Sequence, residues 1–276
     1  MPNPVTLLVD NGSLAAAATR QLRALAGALA QKIGRPVAPV SLLHSAAVPV
    51  AELDGVPAEI FESALARRLG EGHPEFLVVP LFFGPSRALT DYLPERVAQL
   101  RRQHPELHVG VAPVLFDEND GRLAQIMADH VRSASQPTAG GIRRIALVDH
   151  GSPVAAVSAV RDALACQLAH LLGAGAVVGA CSMERREGSA YDFNEPLLAS
   201  LLARDGWNRG VVTVAMEFLL PGRHAGPAGD VAHMCRMAMA AQPGLQTQLT
   251  PLVGEHPLLV EILADRWRSG WSALPE

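Results

Sequence analysis

One motif is written twice in this chain. LLVDNGS at residues 7–13 returns as ALVDHGS at 146–152, an offset of 139, with Leu8/Leu147, Val9/Val148, Asp10/Asp149, Gly12/Gly151 and Ser13/Ser152 matched. A second match follows in the same order. APVLFDENDGRLAQIMADH (112–130) resembles TPLVGEHPLLVEILADR (250–266), pairing Pro113 with Pro251 and Asp129 with Asp265 at offsets of 138 and 136. Repeated segments in one order imply that the same supersecondary unit is built twice. Two halves of about 138 residues fill the 276 almost without remainder. We place an N-terminal domain at 1–134, a C-terminal domain at 142–276 and a linker at 135–141, within the small, polar, Pro/Gly-bearing SASQPTAGG. Between the copies one swap stands out, Asn11 against His150.

Each half alternates strand and helix. In the second, RRIALVD, AVVGACSM, GVVTVAMEFLL and LQTQLTPLV read as strands. Between and after them lie PVAAVSAVRDALACQLAHLLG, NEPLLASLLARDG, GPAGDVAHMCRMAMAAQ and EHPLLVEILADRWRSGW, which read as helices. In the first of these helices apolar residues recur at 154, 157, 160, 164, 168 and 171, one face of a 3.6-residue period. The first half supplies PVTLLVD, PVAPVSLL, EFLVVPLFF and HVGVAPVL as its strands. Near-continuous apolar strands separated by helices predict a parallel sheet covered on both faces. Right-handed crossovers then give two tandem α/β domains of flavodoxin-like type. In such sheets ligands bind beyond the C-terminal strand ends, where both DNGS and DHGS fall.

Composition narrows the function. A net charge of −4 argues against a nucleic-acid surface. No run of roughly 18 apolar residues predicts a membrane span, and MPNPVTLLVDNGS lacks the basic start of a signal peptide. Cys166, Cys181 and Cys235 are isolated and odd in number, which fits a reducing cytoplasm rather than a disulfide framework or a zinc site.

Chemistry-bearing residues collect at the strand ends of the second half. Strand one ends at Asp149-His150-Gly151-Ser152, and strand two runs into Glu184, Arg185 and Arg186. Strand three passes Glu217 and leads to Gly222-Arg223-His224, and strand four ends near His256. Two histidines and a carboxylate at neighbouring strand ends can converge on a divalent ion, since imidazole and carboxylate suit Fe, Co, Ni and Zn. The glycines beside the histidines permit a tight turn and close approach of a flat ligand. Glu184 and Glu217 compete for the acidic place. At ~3.3 Å per residue an extended strand would carry Glu217 ~20 Å from His224, which favours Glu184. Ser152 is expected as the N-cap of the next helix; DHGSP is not the G-x-S-x-G nucleophile elbow. No P-loop or GxGxxG follows any strand, which argues against phosphotransfer.

LVDHGSP followed by FLLPGRHAGPAGDV, with LVGEHPLLVEILADR near the end, resembles the class II tetrapyrrole chelatases. These are the sirohydrochlorin cobalto- and ferrochelatases of the CbiX and SirB type, in their long two-domain form, and the resemblance covers essentially the whole chain. It implies insertion of Co2+ or Fe2+ into sirohydrochlorin on the way to cobalamin or siroheme, with no permanent cofactor. His150, His224 and Glu184 would be both the catalytic and the metal-binding residues. Asn11, Ser13, Gly151, Ser152 and Gly222 would meet the macrocycle, and Arg87, Arg185, Arg186 and Arg223 would clamp its carboxylates. In the first half VPLFFGPSRALTDYLP keeps part of the pattern, but Ser86-Arg87-Ala88 stands where Gly-Arg-His would be. Only one copy then needs to bind metal, and the degenerate copy can form an opposite wall. His44 is expected opposite Glu184 in the repeat, where it could contribute. A duplicated chain of this kind is expected to act as a monomer. The alternative reading is a non-catalytic metal or tetrapyrrole carrier on the same fold.

Overall fold

The computed structural model describes residues 4–134 and 142–274; the expected linker at 135–141 lies outside the described residues. The first half opens with strand β1 (Val5–Asp10), helix α1 (Ala16–Ile33), β2 (Val37–Ser41), α2 (Phe61–Gly70) and β3 (Glu75–Pro80). It continues with α3 (Leu93–Arg101), β4 (His108–Val111) and α4 (Arg122–Ala134). The second half repeats the order with β5 (Arg143–Asp149), α5 (Ala155–Leu172), β6 (Ala176–Ser182), α6 (Leu198–Ala203), β7 (Gly210–Met216), α7 (Asp230–Ala241), β8 (Leu245–Leu249) and α8 (Leu258–Ser272).

The sheets are four-stranded, with orders β2-β1-β3-β4 and β6-β5-β7-β8, and every pairing is parallel. This is the doubly wound α/β fold the alternation predicts, once in each half. The central strands have no solvated face: Leu7, Leu8 and Val9 are fully buried, as are Ile145, Ala146, Leu147 and Val148. That explains their continuous apolar runs. The registers of the two sheets correspond. Asp10 pairs with Ser41 in one, and Asp149 with Ser182 in the other.

The chain divides into two compact units, Met1–Leu115 with Pro257–Glu276, and Phe116–His256. These units and the halves of the duplication do not coincide, because each half gives its last helix to the other half's sheet. Within the first unit α8 packs on α1, β3 and β4. Trp267 donates its indole N–H to Thr6 Oγ1 at 3.0 Å, and Arg266 donates to the carbonyls of Val114 and Leu115. Within the second unit α4 packs on α5 and β7, with Arg132 donating to Leu171 O.

Three local expectations are corrected. The helix expected over 194–206 shrinks to Leu198–Ala203. Pro196 restricts the residue before it to extended backbone, and Pro196 O accepts from Ser182 N–H, so the segment runs alongside the end of β6. The third strand stops at Met216 rather than Leu220. Beyond it the Glu217 N–H donates to Val148 O, and the carbonyls of Phe218 and Leu219 accept from Val253 and Gly254, before Pro221 and Gly222 turn the chain. Ser152 is not the N-cap of α5: Val154 is, with no side-chain bond. Ser152 Oγ instead accepts the Val154 N–H at 3.1 Å, tightening the turn before the helix.

Candidate metal-insertion site

The site forms where β5 and β6 keep pairing beyond their ends. Met183 N–H donates to Asp149 O and Glu184 N–H to His150 O, so Glu184 lies beside His150 by backbone register alone. Gly151 makes this approach possible. It has φ +90°, and a Cβ there would sit 1.9 Å from Glu184 O. Only glycine fits such a position. The side chains then meet, with His150 Nε2 3.5 Å from Glu184 Oε1, and both remain substantially exposed.

His224 arrives from the turn after β7. That turn is fastened to the first turn of α7 by Asp230 N–H to Arg223 O and Val231 N–H to His224 O. It brings the His224 ring to 4.6 Å from the His150 ring, centroid to centroid, at 63° between planes. Thus His150, His224 and Glu184, expected together from the sequence, are neighbours in the second unit. As they stand, among the described residues no group of three or more His, Cys, Asp or Glu side chains has a geometry that would hold an ion. The contacts are pairwise, histidine to histidine and histidine to glutamate.

Hydrogen bonds select the tautomers. His150 Nδ1 lies 2.9 Å from Gly151 O, and a carbonyl only accepts, so Nδ1 carries the proton. His224 Nδ1 lies 2.7 Å from Asp230 Oδ2, which likewise draws the proton to Nδ1. Each neutral ring then has its lone pair on Nε2. Asp230, the partner of His224, is not among the residues expected from the sequence. Its signal was present: an acid six residues after His224, in the first turn of a helix.

The remaining expected residues are distributed as follows. Gly151 and Ser152 lie in the His150 loop, and Gly222 donates to Ala225 O within the His224 turn. Arg223 is largely exposed, with Nε 3.5 Å from Asp230 Oδ2. Arg186 lies over the Tyr191 ring at 6.0 Å. Arg185 is bound to Asp192 and, at 3.1 Å, to Glu195, so it braces its own loop. Asn11, Ser13 and Arg87 lie beyond the strand ends of the first unit's sheet. Asn11 stands where His150 stands, since Asn11 O accepts the Leu43 N–H as His150 O accepts that of Glu184. This pairing corrects the expectation for His44: Leu43 is the residue opposite Glu184, and His44 corresponds to Arg185.

Glu217 is 5% exposed, with Oε2 lacking a hydrogen-bond partner. Burial, reinforced by the charge of Asp149, pushes its carboxyl well above the usual range. It belongs to the interior, beside Asp149 and the buried Arg161, and not to the exposed surface that His150 and Glu184 share.

No family model matches the chain, and no curated protein matches it in sequence. Solved structures do match. SirB from Bacillus subtilis with Fe3+ superposes with a TM-score of 0.71 at 16% identity, over 98% of this chain and 96% of that one. The sirohydrochlorin chelatase SirB from Bacillus subtilis subspecies spizizenii, in complex with cobalt, gives 0.69 at 14%, with the same coverage. A multi-domain Deinococcus radiodurans protein described as structurally similar to chelatases gives 0.59 at 18%, over 97% of this chain and 56% of that one. At such identities the likeness is one of fold. With two sheets of order 2-1-3-4, duplicated in one chain, this protein has the chelatase fold.

Proposed function

We propose that this protein inserts a divalent metal ion, Co2+ or Fe2+, into sirohydrochlorin, and that the second half carries the chemistry. The observation behind this reading is the pair of imidazoles, ring centroids 4.6 Å apart and each with Nδ1 against an acceptor oxygen, beside one exposed carboxylate; that arrangement leaves the Nε2 lone pairs for the ion. Metal insertion replaces two pyrrole N–H protons by one M2+ ion. The two Nε2 atoms receive the ion first, as displaceable ligands, and Glu184 supplies compensating charge. When the ion passes to the pyrrole nitrogens, the two lone pairs are released and accept the two protons that must leave. Glu184, with its side chain 61% exposed, then hands protons from His150 to water. Arg186, Arg223 and Arg87 remain available for the macrocycle's carboxylates, with Asn11, Ser13, Gly151, Ser152 and Gly222 against its face. The first half, with Asn11 and Ala88 at the histidine positions, takes no protons.

The test is incubation of the purified protein with sirohydrochlorin and each of Co2+, Fe2+ and Ni2+, following the absorption change on metallation. Insertion is expected in wild type and in Asn11→Ala, and is lost in His150→Ala and His224→Ala. Protein that binds the metal or the macrocycle but leaves sirohydrochlorin unmetallated is a carrier, and the proposal fails.

A further inference from the structure

The two halves hold their equivalent loops by different means. In the second, Asp149 Oδ1 accepts the Gly151 N–H at 3.1 Å and the Ser182 hydroxyl at 2.5 Å. Behind that pair lies Arg161, 2% exposed, whose guanidinium donates to Ser182 Oγ at 2.5 Å and stands 3.8 Å from Asp149 Oδ1. The same guanidinium donates to the carbonyls of Phe193 and Asn194. Asn194, fully buried, grips the other end of the loop twice. Its Oδ1 accepts the Ser152 N–H at 2.9 Å, and its Nδ2 donates to Ser152 O at 3.0 Å. His150 is thus strung between Asp149 and Asn194, and Arg161 ties both anchors together.

In the first half Leu22 occupies the position of Arg161, counted from the shared helix start. There Asp10 keeps the Ser41 hydroxyl and the Gly12 N–H as partners with no guanidinium behind it. In place of the asparagine a serine holds the far end of the loop: Ser13 N–H donates to Ser45 Oγ at 3.2 Å, and Ser45 donates on to Ser41. A buried guanidinium is costly unless every donor is matched, and Arg161 is present only in the half that keeps its histidines. Its donors are matched by Asp162, Ser182 and the carbonyls of Phe193 and Asn194, and it is through Ser182 and Asn194 that they reach the histidine loop.

We propose that Arg161 and Asn194 are positioning residues for metal insertion, fixing the His150 loop so that its Nε2 stays aimed at the ion; this rests on the chelatase reading above. The backbone of the residue between the anchors can reorient only if one of them lets go. Outer partners of this kind set the efficiency of a metal-handling histidine, typically by about 10- to 100-fold.

The experiment uses the full chain. In Asn194→Ala, which leaves every buried charge in place, kcat for Co2+ insertion is expected to fall about tenfold or more. Amide exchange at Gly151 and Ser152 should accelerate while the amides of Ile145–Val148 stay protected, a split that general destabilisation does not produce. Arg161→Leu installs the first-half residue and should show the same split. Should it fail to fold, Arg161→Lys, which keeps the charge but loses the fork to Phe193 and Asn194, replaces it and should show a partial loss. Unchanged kcat and unchanged loop exchange in Asn194→Ala overturn the inference. Wild-type protein that inserts no metal overturns the chelatase reading instead, and the exchange measurement still decides whether the clamp exists.

Discussion

A histidine on a turn can rotate about two side-chain bonds, and His224 is held by its contact with Asp230 at 2.7 Å. The carboxylate fixes the ring plane and keeps the proton on Nδ1, so replacing it with an amide should free the ring and mix the tautomers. Asp230→Asn is expected to lower metal insertion about 10- to 100-fold with the melting temperature little changed, as activity and thermal melting on one preparation will show. At the same scale, Asp10 is an acid without a counter-charge. It is buried, its Oδ1 has no partner, and burial raises its pKa to about 6 from 3.8. A raised carboxyl pKa means that the folded state binds the proton more tightly than the unfolded one. Stability attributable to this group is therefore greatest below pH ~4 and declines as pH rises to about 6, by on the order of 3 kcal/mol. Asp10→Asn should raise the melting temperature at pH 7.5 and leave it nearly unchanged at pH 4; equal effects at both pH values would contradict this. The meeting of His150, His224 and Glu184 is legible in the sequence because His150 and Glu184 directly follow apolar runs and His224 sits in the turn after a third. Arg161 and Asn194 are not, because nothing local marks a helix or loop residue whose partners lie on other elements.

The element that matters most to the site is the turn between β5 and α5. Gly151 and Gly12 adopt nearly the same φ, +90° and +91°, and a Cβ at Gly12 would also overlap a backbone oxygen, that of Leu43 at 1.7 Å. The turn is thus a shared piece of architecture, present in the copy that lacks the two histidines as well as in the copy that has them. Gly151→Ala must push Glu184 away from His150 as well as strain its own φ, which costs of order 1–3 kcal/mol. Loss of insertion is expected together with a lowered melting temperature, whereas Gly12→Ala should lower stability and spare more of the activity. Comparable activity loss in both would mean that the turn contributes to the fold alone. Strand positions were readable from sequence because fully buried parallel strands are apolar throughout. Helix limits were less so. The Ser152 cap failed because Gly151 places the chain two residues short of helical geometry, and the helix over 194–206 failed because pairing with β6 outweighed the propensity of its first residues.

At the scale of the whole molecule, the duplication predicted two equal halves, and the compact units cut across them. Sequence repeats record how the chain was copied; they carry no information on which sheet a terminal helix covers when both sheets are alike. The exchanged helices make this testable. In the second unit α4 buries Leu123, Ile126, Met127 and Val131, each at most 2% exposed. At roughly 1.5–3 kcal/mol per large side chain, uncovering these four costs on the order of 6–12 kcal/mol, as much as the whole stability of an ordinary domain. A fragment of residues 142–276 lacks α4 and retains α8, whose Trp267 and Arg266 have their partners at Thr6, Val114 and Leu115. It should not fold as a monomer. A fragment of residues 116–256 keeps the sheet β6-β5-β7-β8 with α4 through α7 and omits only a helix that packs elsewhere. That fragment should melt cooperatively as a monomer and keep the two imidazoles together. Calorimetry and sedimentation on the two fragments decide it: a cooperative, monomeric 142–276 with a melting temperature equal to that of 116–256 would show that the helices are not exchanged between the halves.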